Sequence, residues 1–202
     1  MTVTIAHDHL PVYRVVRKGW ADPIDTSFSQ RHNVDNRWNT PDFPALYCCC
    51  SKSVARAIVR DRFGITGVEL TDLQDTAYPQ LVEVHWVGQP VDMITEETII
   101  AVGFPREYPT GTTHVETRRA AVKWHAEGQT GVLCRSASVA QLEFRTWVGD
   151  HADWSELVIY TQNSPLRPSV LKRYDDLEWL VPNRLQRADD LMNSVESEFD
   201  QT

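Results

Sequence analysis

The stretch that decides the fold is Asn36-Arg37-Trp38-Asn39-Thr40-Pro41, continuing through Ala45-Leu46-Tyr47 into Ser53-Val54-Ala55-Arg56-Ala57. It opens as an Arg-Trp-Asn turn in a loop from Asn36 to Phe43 that Pro44 closes. Residues 45–50 then read as a short buried strand. A helix follows from Ser51 to Phe63, capped by Ser51 or Ser53, with Val54, Ala57 and Ile58 on one face and Gly64 as its stop. Its other face carries Lys52, Arg56 and Arg60, a solvated surface. A strand feeding a helix, with an Arg and a Tyr at the strand ends, holds polar groups rigidly on the rim of a cleft.

Two further pieces give that stretch its context. Upstream, residues 12–16 form a β-branched run, Val-Tyr-Arg-Val-Val, which predicts a strand. Strict alternation puts Arg14 on the face of Val16, opposite Tyr13 and Val15. An Arg there is either an edge residue in solvent or a guanidinium fork for phosphate or carboxylate. Downstream, Thr113 to Glu127 is the clearest helix. Thr113 and Glu116 match a capping box, Val115, Val122 and Ala126 lie on one face, and Gly128 ends it. The strand from Gly131 to Cys134 follows, with Arg135-Ser136-Ala137-Ser138 at its carboxyl end, where ligand clefts of α/β arrangements gather. A lone Ser at that place is otherwise a local cap.

The remaining chain alternates strands and loops. Residues 20–34, with Arg31 and His32, read as loop, as do residues 71–79 and 105–111. Strands are expected at 80–87, 142–148 and 156–161. Residues 95–102 fit a strand or a short helix equally. Pro165 and Pro168 break the chain, and residues 184–199 form a last amphipathic helix with apolar side chains at three-four spacing. That helix packs on its own domain or offers a partner face. The expected architecture is α+β: one domain over residues 1–168, and an extension over 169–202 whose helix packs on it.

The 202 residues carry a formal net charge of −8, which disfavours sequence-independent nucleic-acid binding. No run approaches the ~20 apolar residues of a membrane helix, and the first ten residues lack a signal-peptide pattern, so a cytoplasmic location is expected. Cys48, Cys49 and Cys50 are consecutive, and strand neighbours point to opposite faces, so they cannot close one tetrahedral metal site. They and Cys134 read as small buried strand residues. The seven His residues show no metal-ligand spacing, and no P-loop, dinucleotide fingerprint or nucleophile elbow occurs.

Taken in order, the three pieces resemble the RES domain family, named for an Arg, a Glu and a Ser. The match runs from the strand at Arg14 through Arg37-Trp38-Asn39 and Leu46-Tyr47 into the helix of residues 53–57. It resumes at Gly131-Val132-Leu133 with Ser136-Ala137, and again at Leu157-Val158-Ile159-Tyr160. The resemblance implies an ADP-ribosyltransferase-like fold, with a split, mainly antiparallel sheet surrounded by helices. It implies NAD as substrate, no metal, and a toxin whose partner is a helix-turn-helix antitoxin. By the same carry-over Arg14 and Arg37 bind the substrate, and Tyr47 and Ser136 complete the site. The chemistry suits those types: Arg forks the pyrophosphate, Tyr stacks on nicotinamide and Ser orients a hydroxyl. At the place of the family Glu this chain reads Ile58-Val59-Arg60. Asp61 is the nearest acid and the substitute candidate, about one helical turn beyond the expected position; Glu69 lies further on. Without an acid, the alternative is a RES-like nucleotide-binding or interaction module.

Overall fold

In the computed structural model the described residues are 11–27, 36–67, 69, 72–142 and 154–180. The expected strand at 142–148, apart from Leu142, which ends a helix, and the expected helix at 184–199 fall outside them, as do Arg31 and His32. Seven strands make one sheet: β1 (Val12–Arg17), β2 (Ala45–Cys49), β3 (Pro79–His85), β4 (Val91–Met93), β5 (Gly131–Arg135), β6 (Ser155–Tyr160) and β7 (Ser169–Tyr174). Their order is β4-β5-β6-β2-β1-β3-β7. Only β4 and β5 pair in parallel; the other neighbours are antiparallel. Among the described residues four helices pack with it: α1 (Lys52–Thr66), α2 (Glu96–Ala101), α3 (His114–Ala126) and α4 (Ala137–Leu142). The fold class is α+β.

Alternation along β2 sorts the core. Leu46 and Cys48 join Val12, Val16, Val82, Val84, Leu157 and Ile159 on one face of the sheet. Ala45 and Tyr47 join Trp38, Val132, Cys134, Val158 and Tyr160 on the other. Cys49, also on that second face, packs beneath Val54, Ala55 and Val59 of α1. The four cysteines are free, with Cys48, Cys49 and Cys134 buried.

The sheet is split at its centre. β1 pairs with β3 along its whole length, and β2 does the same with β6. Between β1 and β2 only Tyr13 and Cys49 are in register. The Cys50 amide bonds Ser155 across to β6 (3.0 Å), so by alternation the Tyr47 carbonyl is turned toward β1. It finds no strand partner there. The Arg14 guanidinium reaches into the gap instead, with Nη1 3.4 Å from that carbonyl.

Helix ends follow their caps. Ser51 caps α1, its hydroxyl accepting from the Val54 amide at 3.2 Å. The helix runs past Gly64, the expected stop, to Gly67, whose left-handed backbone (φ 64°) lets its amide close on the Phe63 carbonyl. Residues 96–101 are a helix because Thr95 and Thr98 form a reciprocal capping box. The box at Thr113 and Glu116 starts α3 as expected. Its face is a correction, however. Val115 and Val122 are 56% and 49% exposed, and the buried stripe is Thr117, Ala121 and Trp124. Beyond residue 168, β7 pairs with β3 and completes that edge of the sheet.

Candidate functional site

Arg37 sits in a turn that three neighbours pin. Trp38 is 1% exposed and stacks on Trp124 of α3 with ring centroids 5.7 Å apart. Phe104 and Tyr108 pack against the same indole. The Tyr47 hydroxyl accepts from the Trp38 amide (2.8 Å) and donates to Asn39 Oδ1 (3.0 Å). Burial holds that phenol well above its ordinary pKa, so it stays neutral. Its hydroxyl is committed to the turn, and what Tyr47 offers a ligand is its ring. Burial works to lower the Arg37 pKa, but Tyr108, Cys134 and Glu156 outweigh it and leave the net shift upward. Arg37 is thus a firm cation.

Ser136 is fully buried where β5 ends. Its amide donates to the Trp154 carbonyl at 2.7 Å, which turns the chain into α4. Its hydroxyl accepts from the Val139 amide at 3.5 Å, and that hydroxyl and the Ala137 amide favour the ionised form of the Glu156 carboxyl. Glu156 lies on β6 in register with Cys49 of β2 and Cys134 of β5. That register puts it on the face of Val158, Tyr47 and Cys134. Burial raises its pKa, Asp61 adds to the rise, and Ser136, Arg37 and Ala137 oppose it. Asp61 approaches from α1, which packs on α4, and its Oδ2 accepts from the Ser138 hydroxyl at 3.0 Å. His114 at the start of α3 is near Arg37, which together with burial lowers its pKa.

The structure therefore brings Arg37, Tyr47, Ser136 and Asp61 together around Glu156. It places Arg14 elsewhere. Arg14 shares the β1 face of Val12 and Val16, and its electrostatic neighbours are Cys48, Cys49, Asp25 and Asp22. None of Ser136, Arg37 and Asp61 is among them. Burial lowers its pKa, and its buried Nε has no hydrogen-bond partner. Glu156 is the site residue that reading the sequence missed. The signal was present: a carboxylate inside Ser-Glu-Leu-Val-Ile-Tyr, sharing a face with Val158 and Tyr160. A separate groove of about 460 Å³ at the far end of α1, lined by Val59, Arg60, Phe63 and Leu180, contains none of these residues.

A cation, a buried hydroxyl and two carboxyls grouped in this way can hold a phosphorylated ligand and support positive charge developing on it. An α+β domain with such a cluster beside a split sheet has a counterpart among known families. Residues 11–169 match the RES domain, and the chain belongs to that family. Among solved structures it is similar to a chain of the M. tuberculosis MbcT–MbcA toxin–antitoxin complex. The TM-score is 0.64 at 18% identity, covering 86% of this chain and 85% of that one. At that identity the likeness shows the shared fold. A search of curated proteins finds no significant match. Among the described residues no helix is long and apolar enough to cross a membrane.

Proposed function

We propose that this chain is a RES-type toxin of a toxin–antitoxin pair, and that it binds NAD and cleaves the nicotinamide–ribose bond. The observation that carries the reading is the convergence of Arg37, Ser136 and the half-buried Glu156 from separate parts of the chain. Arg37 meets the pyrophosphate as a fork. The Tyr47 ring packs against nicotinamide. Ser136 and the carboxyls face the ribose, where cleavage develops an oxocarbenium-like charge. Arg14 serves the site at one remove, by holding the backbone of Tyr47 across the split. The reaction draws on cytoplasmic NAD and needs no metal. The partner is a helix-turn-helix antitoxin, as the family membership suggests and as the toxin–antitoxin assembly of the structural neighbour supports.

One observation favours a second reading, a nucleotide-binding or interaction module. Ile58, at the place of the family Glu, packs with the apolar cluster under α1. The purified chain, incubated with NAD and followed for nicotinamide release, separates the two. Cleavage by wild type and its loss in Arg37→Ala support the enzyme. Binding of NAD by calorimetry without nicotinamide release supports the module. Neither binding nor release refutes both.

A further inference from the structure

We propose that Glu156 is the carboxylate that faces the reacting ribose, and that Asp61, engaged by Ser138, acts on the site only through its charge. The inference rests on the NAD-cleaving reading above and names the acid that reading requires.

The reaction sets the requirement. When the C1′–N bond breaks, its electron pair passes to the nicotinamide nitrogen, which becomes neutral. Positive charge is left on C1′ and the ring oxygen. Water then bonds to C1′ and releases one proton, giving nicotinamide and ADP-ribose. A carboxylate stabilises that cation best when it is already in place and shielded from water.

Glu156 meets the requirement by geometry. β6 runs between β2 and β5, so both of its edges are paired around Glu156 and the backbone cannot swing. The register of Glu156 with Cys49 and Cys134 sets it on the face of Tyr47 and Val158, where Ser136, the Ala137 amide and Arg37 favour its ionised form. The same strand face otherwise carries Val158 and Tyr160, both buried. An apolar side chain would fill that place without the cost of burying a charge, so packing alone does not account for a Glu there. Asp61 has a different setting. It lies on a partly exposed stretch of α1 and is already engaged by Ser138 at 3.0 Å. Its charge disfavours the ionised form of Glu156, which makes the two carboxyls a coupled pair rather than two independent acids. The other titratable groups around Glu156 are Arg37 from the turn, Tyr47, Cys49 and Cys50 from β2 and the residue after it, Cys134 from β5, and Tyr108. Burial holds these Tyr and Cys groups neutral, so Arg37 and Asp61 are the charges that set the state of Glu156.

The test compares full-length wild type with Glu156→Gln, Glu156→Asp and Asp61→Asn. Nicotinamide release and NAD binding by calorimetry are measured for each, with circular dichroism to confirm folding. Glu156→Gln is expected to lower kcat by about a hundredfold or more, the scale of losing one preorganised electrostatic group, while NAD affinity stays within a few-fold. Glu156→Asp is expected to recover part of the rate. The acid limb of the kcat–pH profile, set by protonation of the carboxylate, is expected in wild type and absent in Glu156→Gln. Asp61→Asn is expected to shift that limb to lower pH and to cost less than about tenfold in rate. If wild type cleaves NAD and Glu156→Gln cleaves it equally well, or if Asp61→Asn loses as much as Glu156→Gln, this assignment is overturned while the enzyme reading stands. If wild type releases no nicotinamide, the enzyme reading itself fails and the assignment falls with it.

Discussion

The carboxyl of Glu156 carries opposing influences, and their sign has a consequence for stability. Burial is the largest influence and favours the protonated form; Ser136, Arg37 and the Ala137 amide favour the ionised one, and the net shift is upward. The folded chain therefore takes up this proton more readily than the unfolded chain. Its contribution to stability is fully present below the unfolded carboxylate range and is lost as pH rises through the raised folded value. Glu156→Gln cannot lose a proton there. The thermal midpoint of Glu156→Gln minus that of wild type is expected to grow between about pH 4 and about pH 8. A difference that is flat or shrinks over that range, read by calorimetric melts, would refute the raised value. The two half-buried charges on strands, Arg14 and Glu156, were equally legible as charges on apolar faces. What the sequence did not contain was their surroundings. Arg14 looked like a ligand fork because the missing β1–β2 pairing that it fills is a three-dimensional fact, set by a single registered pair. Glu156 went unnoticed as an acid because its partners, Ser136 and Arg37, are 20 and 119 residues away along the chain.

At the scale of elements, capping chemistry was legible and helix faces were not. Thr113, Glu116 and Gly128 marked α3 at both ends. Val115, Val122 and Ala126 suggested its buried face, yet the stripe that packs is Thr117, Ala121 and Trp124. Thr117 can be buried because its hydroxyl bonds back to the carbonyls of Thr113 and His114, at 3.3 and 3.1 Å. Trp124 decides the orientation, since it is the largest apolar side chain on the helix and stacks on Trp38. Val122→Gln is accordingly expected to change unfolding free energy by no more than about 0.5 kcal/mol. Trp124→Ala is expected to cost about 3–5 kcal/mol and to loosen the turn that carries Arg37. Urea titrations check both, and comparable losses in the two variants would contradict the observed face. Two strands escaped the reading for different reasons. β4 has three residues, too few for any period, and β7 is an edge strand whose side chains are mostly exposed, so no burial pattern marks it.

Among the described residues the sheet is two paired halves, β4-β5-β6-β2 and β1-β3-β7, joined by one registered pair, by the Arg14 bond to Tyr47, by the apolar cluster they share and by α1 packing on both β1 and β2. The candidate site belongs to the first half and to α1. The second half depends on residues after 168. β7 pairs with β3 from Leu81 to His85. Tyr174 donates to Glu83 at 2.8 Å, and Gln80 donates to Asp175 at 2.7 Å. Further on, Trp179 is 5% exposed in the cluster beneath α1, and its carbonyl accepts from Arg56 at 3.1 Å. A domain ending at residue 168, the boundary that the two prolines suggested, would bare one edge of β3 and empty the Trp179 site at once. Losing a buried Trp alone costs about 3–5 kcal/mol, a large part of the ~5–15 kcal/mol that holds a domain together. A chain cut after Pro168 is therefore expected to be insoluble or to melt far below the full chain. Trp179→Ala in the full chain is expected to fold with a lowered midpoint. Because α1 carries Asp61 and spans the split, that variant is also expected to lose affinity for NAD, although Trp179 is not among the groups around Glu156. Circular dichroism melts and calorimetry on both chains provide the check. A cut chain as stable as the full one would mean that β7 and Trp179 decorate the sheet rather than hold its second half to α1.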